Sequence, residues 1–322
     1  MDYQADPRTV SSRSVPVLRW LRSSGMDDDS IENLTAMVPT WAALTALPMT
    51  TWVSVAGQHA SRMVLPSLPP APSPLPAGVH VYPRHGADYP AGVSRLRHPP
   101  ALLYVAGDLP DVPAVSVVCG AYPTARGIEV VTDGVRACAA SGLVPVLRLG
   151  TAAGRAGMVA AGQMGAPVVL VASQGADVFD ADARHVDEVL SAGGAWVSAC
   201  EPAARSHPHS EQVADAVAVA LSEAVLVAQA GLSPQEGSAG VVAAIQMSLP
   251  LVVPASSPGA FGSVPASLVS DMLAEPGSFA PDVLGSNATI AARSAAGMPA
   301  ADAVVASQQD LARALADAVA RG

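Results

Sequence analysis

The sequence predicts an α/β protein, a Rossmann-like doubly wound, mainly parallel sheet with a small N-terminal helical domain in front of it. Three observations predict it. Short apolar, β-branched runs take turns with Ala-rich helical runs from residue 114 to residue 254. Those runs lack polar/apolar alternation, as strands covered on both faces do. Finally, 50% of the residues are hydrophobic but only 4% aromatic, which suits small-residue helices packed on a Val-rich sheet.

Residues 1–63 read as a helical domain of the SAM or helix-hairpin-helix kind. Val17, Leu18 and Leu21, then Ile31, Leu34 and Met37 behind Asp29-Ser30, then Trp41, Leu44 and Leu47 mark three or four short helices. Asp27-Asp28-Asp29 reads as a solvated helix start. Residues 64–78 (VLPSLPPAPSPLPAG) are too rich in proline for a helix or a central strand and read as a semi-rigid linker.

The Rossmann-like domain is placed at 79–262. Its expected strands are Ala114 to Cys119, Val144 to Leu149, Pro167 to Ala172, Ala195 to Ser198, Ala224 to Ala228 and Pro250 to Pro254. Between them, helices are expected over Gly127 to Ser141, Arg155 to Met164, Ala183 to Ala192, Gln212 to Leu221 and Ala239 to Met247. This regular exchange implies right-handed βαβ units with ligands at the carboxyl ends of the strands. Residues 263–322 read as an Ala-rich helical extension ending in an amphipathic helix, Gln308 to Ala320, that packs back on the domain or on a second copy.

All 17 basic residues are arginine, and the net charge is −10. Residues 77–262 hold nine arginines and fifteen acids, which excludes a protein that coats nucleic acid through its overall field. Any cationic side chain on a phosphate must be an arginine, with its planar fork. No apolar run is long enough to span a membrane, and the polar stretch Met1 to Arg22 does not read as a signal peptide, so a cytoplasmic protein is expected. Cys119, Cys138 and Cys200 are odd in number and lack C-x-x-C spacing, which argues for small buried side chains rather than disulfides or zinc.

Chemistry is sought in three loops at strand ends: Gly120 to Gly127, Gly150 to Arg155 and Ser233 to Gly240. Glycines there let backbone amides and helix N-termini approach an anion. The residues singled out for phosphate are Gly120, Tyr122, Thr124 and Arg126 in the first loop, and Gly150, Gly154 and Arg155 in the second. Gly237 and Ser238 in the third, and Arg148 at the end of a strand, complete the set. Tight turns alone also account for each loop. No G-x-G-x-x-G or P-loop is present, so neither a nicotinamide dinucleotide nor an ATPase site is supported. No cofactor, metal or catalytic residue is expected: His207 and His209 read as an exposed loop, Asp177, Asp180 and Asp182 as a polar loop, and no nucleophile elbow appears.

Residues 89–109 (YPAGVSRLRHPPALLYVAGDL) resemble the signature Y-P-x-x-L-x-x-L-x-x-P-P-x-x-L-Y-x-x-G-x-L of the bacterial DNA-processing protein A (DprA/Smf) family. Tyr89, Pro90, Leu96, Pro99, Pro100, Leu103, Tyr104, Gly107 and Leu109 fall on it, with Val93 for one leucine. The resemblance implies an extended segment packed on the sheet, and a non-enzymatic protein that binds single-stranded DNA, dimerises and helps load a RecA-type recombinase during DNA recombination and DNA uptake. It also exposes departures. The family's G-S-R looks like Gly120-Ala121-Tyr122, and its S-G-x-A-x-G-I-D like Leu149 to Ala156, without the serine and aspartate. Its histidine corresponds to Ala160 and its R-N-R to Ala214-Asp215-Ala216, while its E-A and S-G-S-L look like Gln229-Ala230 and Glu236 to Ala239. Glycines and packing residues stay; charged contacts go.

Three functions remain open at this point. The first is single-stranded DNA binding, weak or altered, through the Gly120, Gly150 and Gly237 loops, with stacking on Tyr122. The second is a nucleotide sensor or a hydrolase of the LOG type, although the P-G-G-x-G-T-x-x-E motif of those enzymes is missing. The third is an interaction protein of DprA type that has lost its ligand site.

Overall fold

The computed structural model describes residues 6, 8–57, 60, 61, 63–71, 74–178, 183–234, 237–255, 268–274, 276, 277, 279 and 281–322. Four short helices open the chain: α1 (Val15–Ser23), α2 (Asp28–Met37), α3 (Trp41–Thr45) and α4 (Met49–Ala56). Their apolar stripes bury Val17, Leu21, Ile31, Leu34, Trp41, Leu44 and Trp52. Residues 64–78 hold no helix or strand among those described.

The helix over the second stripe starts earlier than the sequence suggests, because Asp27 caps it, accepting from the Ser30 amide at 2.8 Å. Burial pushes the Asp27 carboxyl up, but the bonds from the Ser30 amide and hydroxyl outweigh it and hold the pKa below the ordinary 3.8. A group with a lowered folded pKa stabilises above its unfolded value and loses that contribution as pH falls through the folded one. Asp27→Ala is therefore expected to cost about 1 kcal/mol at neutral pH, with the gap to wild type closing in melts run below about pH 4.

Asp29 is half exposed, as a solvated helix start implies, whereas Asp28 is largely covered. Asp28 pairs with Arg22 at 3.2 Å and accepts from the Ala101 amide at 2.9 Å, and Asp29 meets His98 at 2.6 Å. Asp28 and Asp29 thus tie the helical bundle to the segment that carries the family-like signature.

That segment is more than an extended strap. After β1 (Val79–Pro83) and the single-turn α5 (Ala91–Ser94), residues Leu102–Gly107 form β2, which lies antiparallel to β1 on one side. Tyr89 in the turn before it is buried, with Oη donating to the Pro100 carbonyl at 2.7 Å. The regular alternation then follows: β3 (Ala114–Cys119), α6 (Ala125–Ala140), β4 (Val144–Arg148), α7 (Ala152–Met164), β5 (Val169–Ala172), α8 (Ala183–Ser191) and β6 (Ala195–Ser198). It continues through α9 (Pro208–Ala220), β7 (Ala224–Gln229), α10 (Ser238–Met247) and β8 (Leu251–Pro254).

The last segment corrects one expectation. Besides α11 (Leu268–Ala274), α12 (Pro281–Leu284), α13 (Ala288–Ala295) and α14 (Gln308–Val319), it contributes a strand, β9 (Ala303–Val305), parallel to β8. The 263–322 region is therefore not purely helical. Among the described residues the strands form one nine-stranded sheet in the order β1-β2-β6-β5-β4-β3-β7-β8-β9, parallel except at the β1–β2 and β2–β6 pairings.

Alternate strand residues feed two cores. Val115, Leu170, Trp196 and Leu226 face α6, α7, α8, α14 and the N-terminal bundle, while Val118, Val171, Val197 and Val227 face α9, α10 and α11. Both faces of the sheet are covered, which is why its strands are apolar throughout. No described helix is long and apolar enough to cross a membrane.

Candidate functional site

A cleft of about 540 Å³ opens at the carboxyl ends of β3, β4 and β5, walled by the start of α9 and the loop after β7. Strands β4 and β7 flank β3 on opposite sides, and the helices leaving β3 and β7 lie on opposite faces, so the loops diverge beside it. Tyr122, Arg148, Gly150, Arg155 and Gly237 of the residues expected from the sequence line it. Gly120, Thr124, Arg126, Gly154 and Ser238 do not.

Each of the five that do not line the cleft has a structural task instead. The Gly120 amide donates to the Gln229 carbonyl at 3.0 Å. Thr124 caps α6 by accepting from the Gly127 amide, and its hydroxyl donates to Gln229 Oε1 at 2.7 Å. Gly154 lies so close to the end of β4 that an added Cβ would sit 1.9 Å from the Arg148 carbonyl oxygen. The Ser238 amide donates to the Ser233 carbonyl at 3.3 Å, and the side chain is buried. Arg126 points elsewhere: it meets Glu129 one helical turn on, at 3.4 Å, and lines a separate groove of about 210 Å³ with Asp133, Val305 and Ser307.

The glycine loops therefore spend most of their amides internally. Gly237, at φ +91°, serves the turn into α10, and its amide donates to the Pro234 carbonyl at 3.1 Å. The second loop keeps unspent donors at the cleft. There Gly150, at φ +83°, turns the chain into α7, and Thr151 caps the helix by accepting from the Gly154 amide at 2.9 Å. The amides of Thr151 and Ala152, which line the cleft at this helix N-terminus, have no protein partner among the described residues. Arg155, one turn on, lines the same cleft, is exposed, and pairs with no acid among the described residues.

The opposite wall is acidic. Arg148 Nη1 donates to the Asp215 carboxylate and to the Glu211 carbonyl, the latter at 2.7 Å. Burial pushes the Asp215 carboxyl up, against the pull of the Arg148 charge. Glu211 accepts from the Ser206 hydroxyl at 3.2 Å, and Ser206 in turn meets Ser173 at 2.8 Å. Among the described residues the charges of the cleft, Arg148 and Arg155 against Glu211 and Asp215, cancel formally.

The sequence reading named Asp215 and Gln229 only as departures from the family pattern, and gave Thr151 and Ser173 no role of their own. Asp215 carried one further signal, its position four residues after Glu211, which stands just before the helix expected over Gln212 to Leu221; one more turn of helix puts both carboxylates on one face. Gln229 at the end of an apolar strand was another.

Neither Cys119 nor His207 is prepared for catalysis. Burial pushes the Cys119 thiol up to about 12, so it stays protonated at neutral pH. His207 is the N-cap of α9, with Nδ1 accepting from the Ser210 amide at 3.3 Å, and it stacks on His209. Among the described residues no three His, Cys, Asp or Glu side chains cluster as metal ligands. Asp177 is exposed; Asp180 and Asp182 lie outside the described residues.

The model of a family described as DNA recombination-mediator protein A matches residues 80–261. No curated protein matches the chain. Among solved structures, DNA processing protein A from Streptococcus pneumoniae is similar in fold, with a TM-score of 0.59 at 17% identity over 77% of this chain and 88% of that one. DNA processing protein A from Helicobacter pylori, in a structure concerned with its single-stranded DNA binding mode, gives 0.48 at 21% identity over 56% of this chain and 82% of that one.

Proposed function

Because the chain belongs to the DNA recombination-mediator protein A family, whose model spans residues 80–261, we propose that its cleft holds the phosphate backbone of single-stranded DNA without catalysing a reaction. The observation that carries this reading is the convergence at the start of α7 of two unspent amides with the free cation of Arg155. An anion there gains charge-assisted hydrogen bonds and a favourable helix end. Exposed Tyr122, on the rim of the same cleft, offers a face for base stacking. A RecA-type recombinase as partner, a homodimer and a role in DNA recombination or uptake in the cytoplasm belong to the same reading.

Anisotropy of a labelled oligonucleotide at low salt tests it. Binding is expected at roughly micromolar to tens of micromolar concentrations, since few cations are on offer. Arg155→Ala is expected to weaken it alike for every sequence and to flatten the salt slope by about 0.7, the contribution of one phosphate contact on a single strand. No binding at such concentrations removes the proposal.

A second reading, an interaction protein whose ligand site has decayed, draws on two observations: Arg126 faces another groove, and Arg148 is engaged by Asp215. Under that reading neither the oligonucleotide nor any nucleotide raises the melting temperature. A true ligand at a hundredfold its Kd adds about 2.7 kcal/mol.

A further inference from the structure

The cleft contains a cation that its own chain has already taken. Arg148 and Asp215 both line it, with side chains 12% and 19% exposed, and the guanidinium donates through Nη1 to the carboxylate and to the Glu211 carbonyl. Its Nε is buried with no partner, and its Nη2 meets no acceptor among the described residues. Half of the planar fork is thus unused, on a group whose geometry suits bidentate phosphate binding. The carboxylate that holds it comes from α9, across the cleft from the free amides of α7.

We infer that Asp215 is an internal counter-ion, which competes with the ligand's phosphates for Arg148 and so sets the affinity and salt dependence of the site. The inference rests on the cleft being a phosphate site. An incoming phosphate must share the guanidinium with a carboxylate already in contact with it, or displace that carboxylate, so the second arginine of the cleft adds little to binding in the native chain. It must also approach a fixed negative charge. Removing that charge while keeping an acceptor oxygen for Arg148 releases the guanidinium at nearly constant shape.

The test is a double-mutant cycle on the full chain, read by anisotropy of a labelled oligonucleotide across a salt series. Asp215→Asn is expected to bind about tenfold tighter at low salt, the worth of one charge-assisted hydrogen bond, with a salt slope steeper by about 0.7. In an Arg148→Gln background the same change is expected to leave affinity within about twofold, because the released group is absent. Circular dichroism and a thermal melt check that each variant is folded, and Asp215→Ser reads the same quantity should the asparagine variant fail to fold. Tighter binding that requires Arg148 supports the inference. Wild type that binds, with Asp215→Asn unchanged, overturns it while leaving the phosphate reading intact. An equal gain without Arg148 overturns it too, because relief of the general negative field then suffices. If no folded variant binds, the phosphate reading falls and this inference with it.

Discussion

Gly175→Ala is expected to lower the stability of the protein by about 3 kcal/mol or more, at or above the upper end of what overpacking costs. An added Cβ would stand 1.9 Å from the Glu201 carbonyl oxygen, 2.2 Å from that of Pro202 and 2.4 Å from the Pro202 carbonyl carbon. All three are backbone atoms, so no side chain can swing away to make room. The loops after β5 and β6 are braided at this point: the Gly175 amide donates to the Ala204 carbonyl at 2.8 Å and the Asp177 amide to the Pro202 carbonyl at 2.9 Å. Ser173 and Gln174, just before the braid, form part of the cleft wall, so ligand affinity is expected to fall together with the melting temperature. The demand here is for space, since Gly175 has no positive φ. Gly162→Ala is the matched control: inside α7, with nothing within 4 Å of the added atom, it is expected to stabilise by about 0.5–1 kcal/mol. Calorimetric melts of the two variants should move in opposite directions.

Glu201→Ala is expected to be damaging too, at about 2–3 kcal/mol, because it takes the carboxylate from the partly buried Arg19 cation and the acceptor from the buried Tyr104 hydroxyl. Glu201 accepts from Arg19 Nε at 3.0 Å and from the Tyr104 hydroxyl, and Arg19 in turn lies 5.9 Å from the centre of the Tyr104 ring. Burial, followed by the nearby carboxylate, raises the Tyr104 pKa, so the phenol stays a donor at any working pH. For Arg19, burial works against the charge, yet the bond to Glu201 and its field prevail and raise the pKa further. The triad joins α1 to β2 and to the loop after β6, a polar link between bundle and sheet beside those of Asp28 and Asp29. Trp20, Trp41 and Trp52 lie in the bundle and Trp196 in β6, so fluorescence during urea unfolding is weighted towards the bundle. In Glu201→Ala the fluorescence transition is expected to precede that seen by far-ultraviolet circular dichroism, whereas in wild type the two coincide. Glu201→Gln, which keeps an acceptor for both partners, should lose less.

Much of this architecture was legible in the residues. The β-branched runs marked β3 to β8 because strands buried on both faces must be apolar at every position, and Gly, Pro and Thr punctuated them clearly. Strand β9 escaped notice because three residues, Ala-Val-Val, carry no period of their own. Strand β2 was hidden behind Pro99-Pro100, and only its pairing with β1 and β6 makes Leu102–Gly107 a strand. The cleft was half legible. Glycine at a strand-to-helix turn is the same letter whether it admits a ligand or a neighbouring carbonyl: Gly150 leaves the cleft open, while Gly154 makes room for the end of β4. Whether an amide is already used depends on residues far away, as with Gly120 and Gln229, and the Arg148–Asp215 pair joins positions 67 residues apart. Arg126 did carry a local warning, in Glu129 one helical turn on.

The placement of β9 has a consequence for how the chain is made. Some fifty residues separate it from β8, the strand it covers, and α14, which follows it, packs across α6 from the middle of the domain. During synthesis the flank of β8 stays bare, a row of unpaired peptide groups open to mispairing, until residues 303–305 arrive. Long-range parallel pairing closes slowly, so the yield of soluble protein should depend on how quickly these late residues dock, more than on the stability of the finished fold.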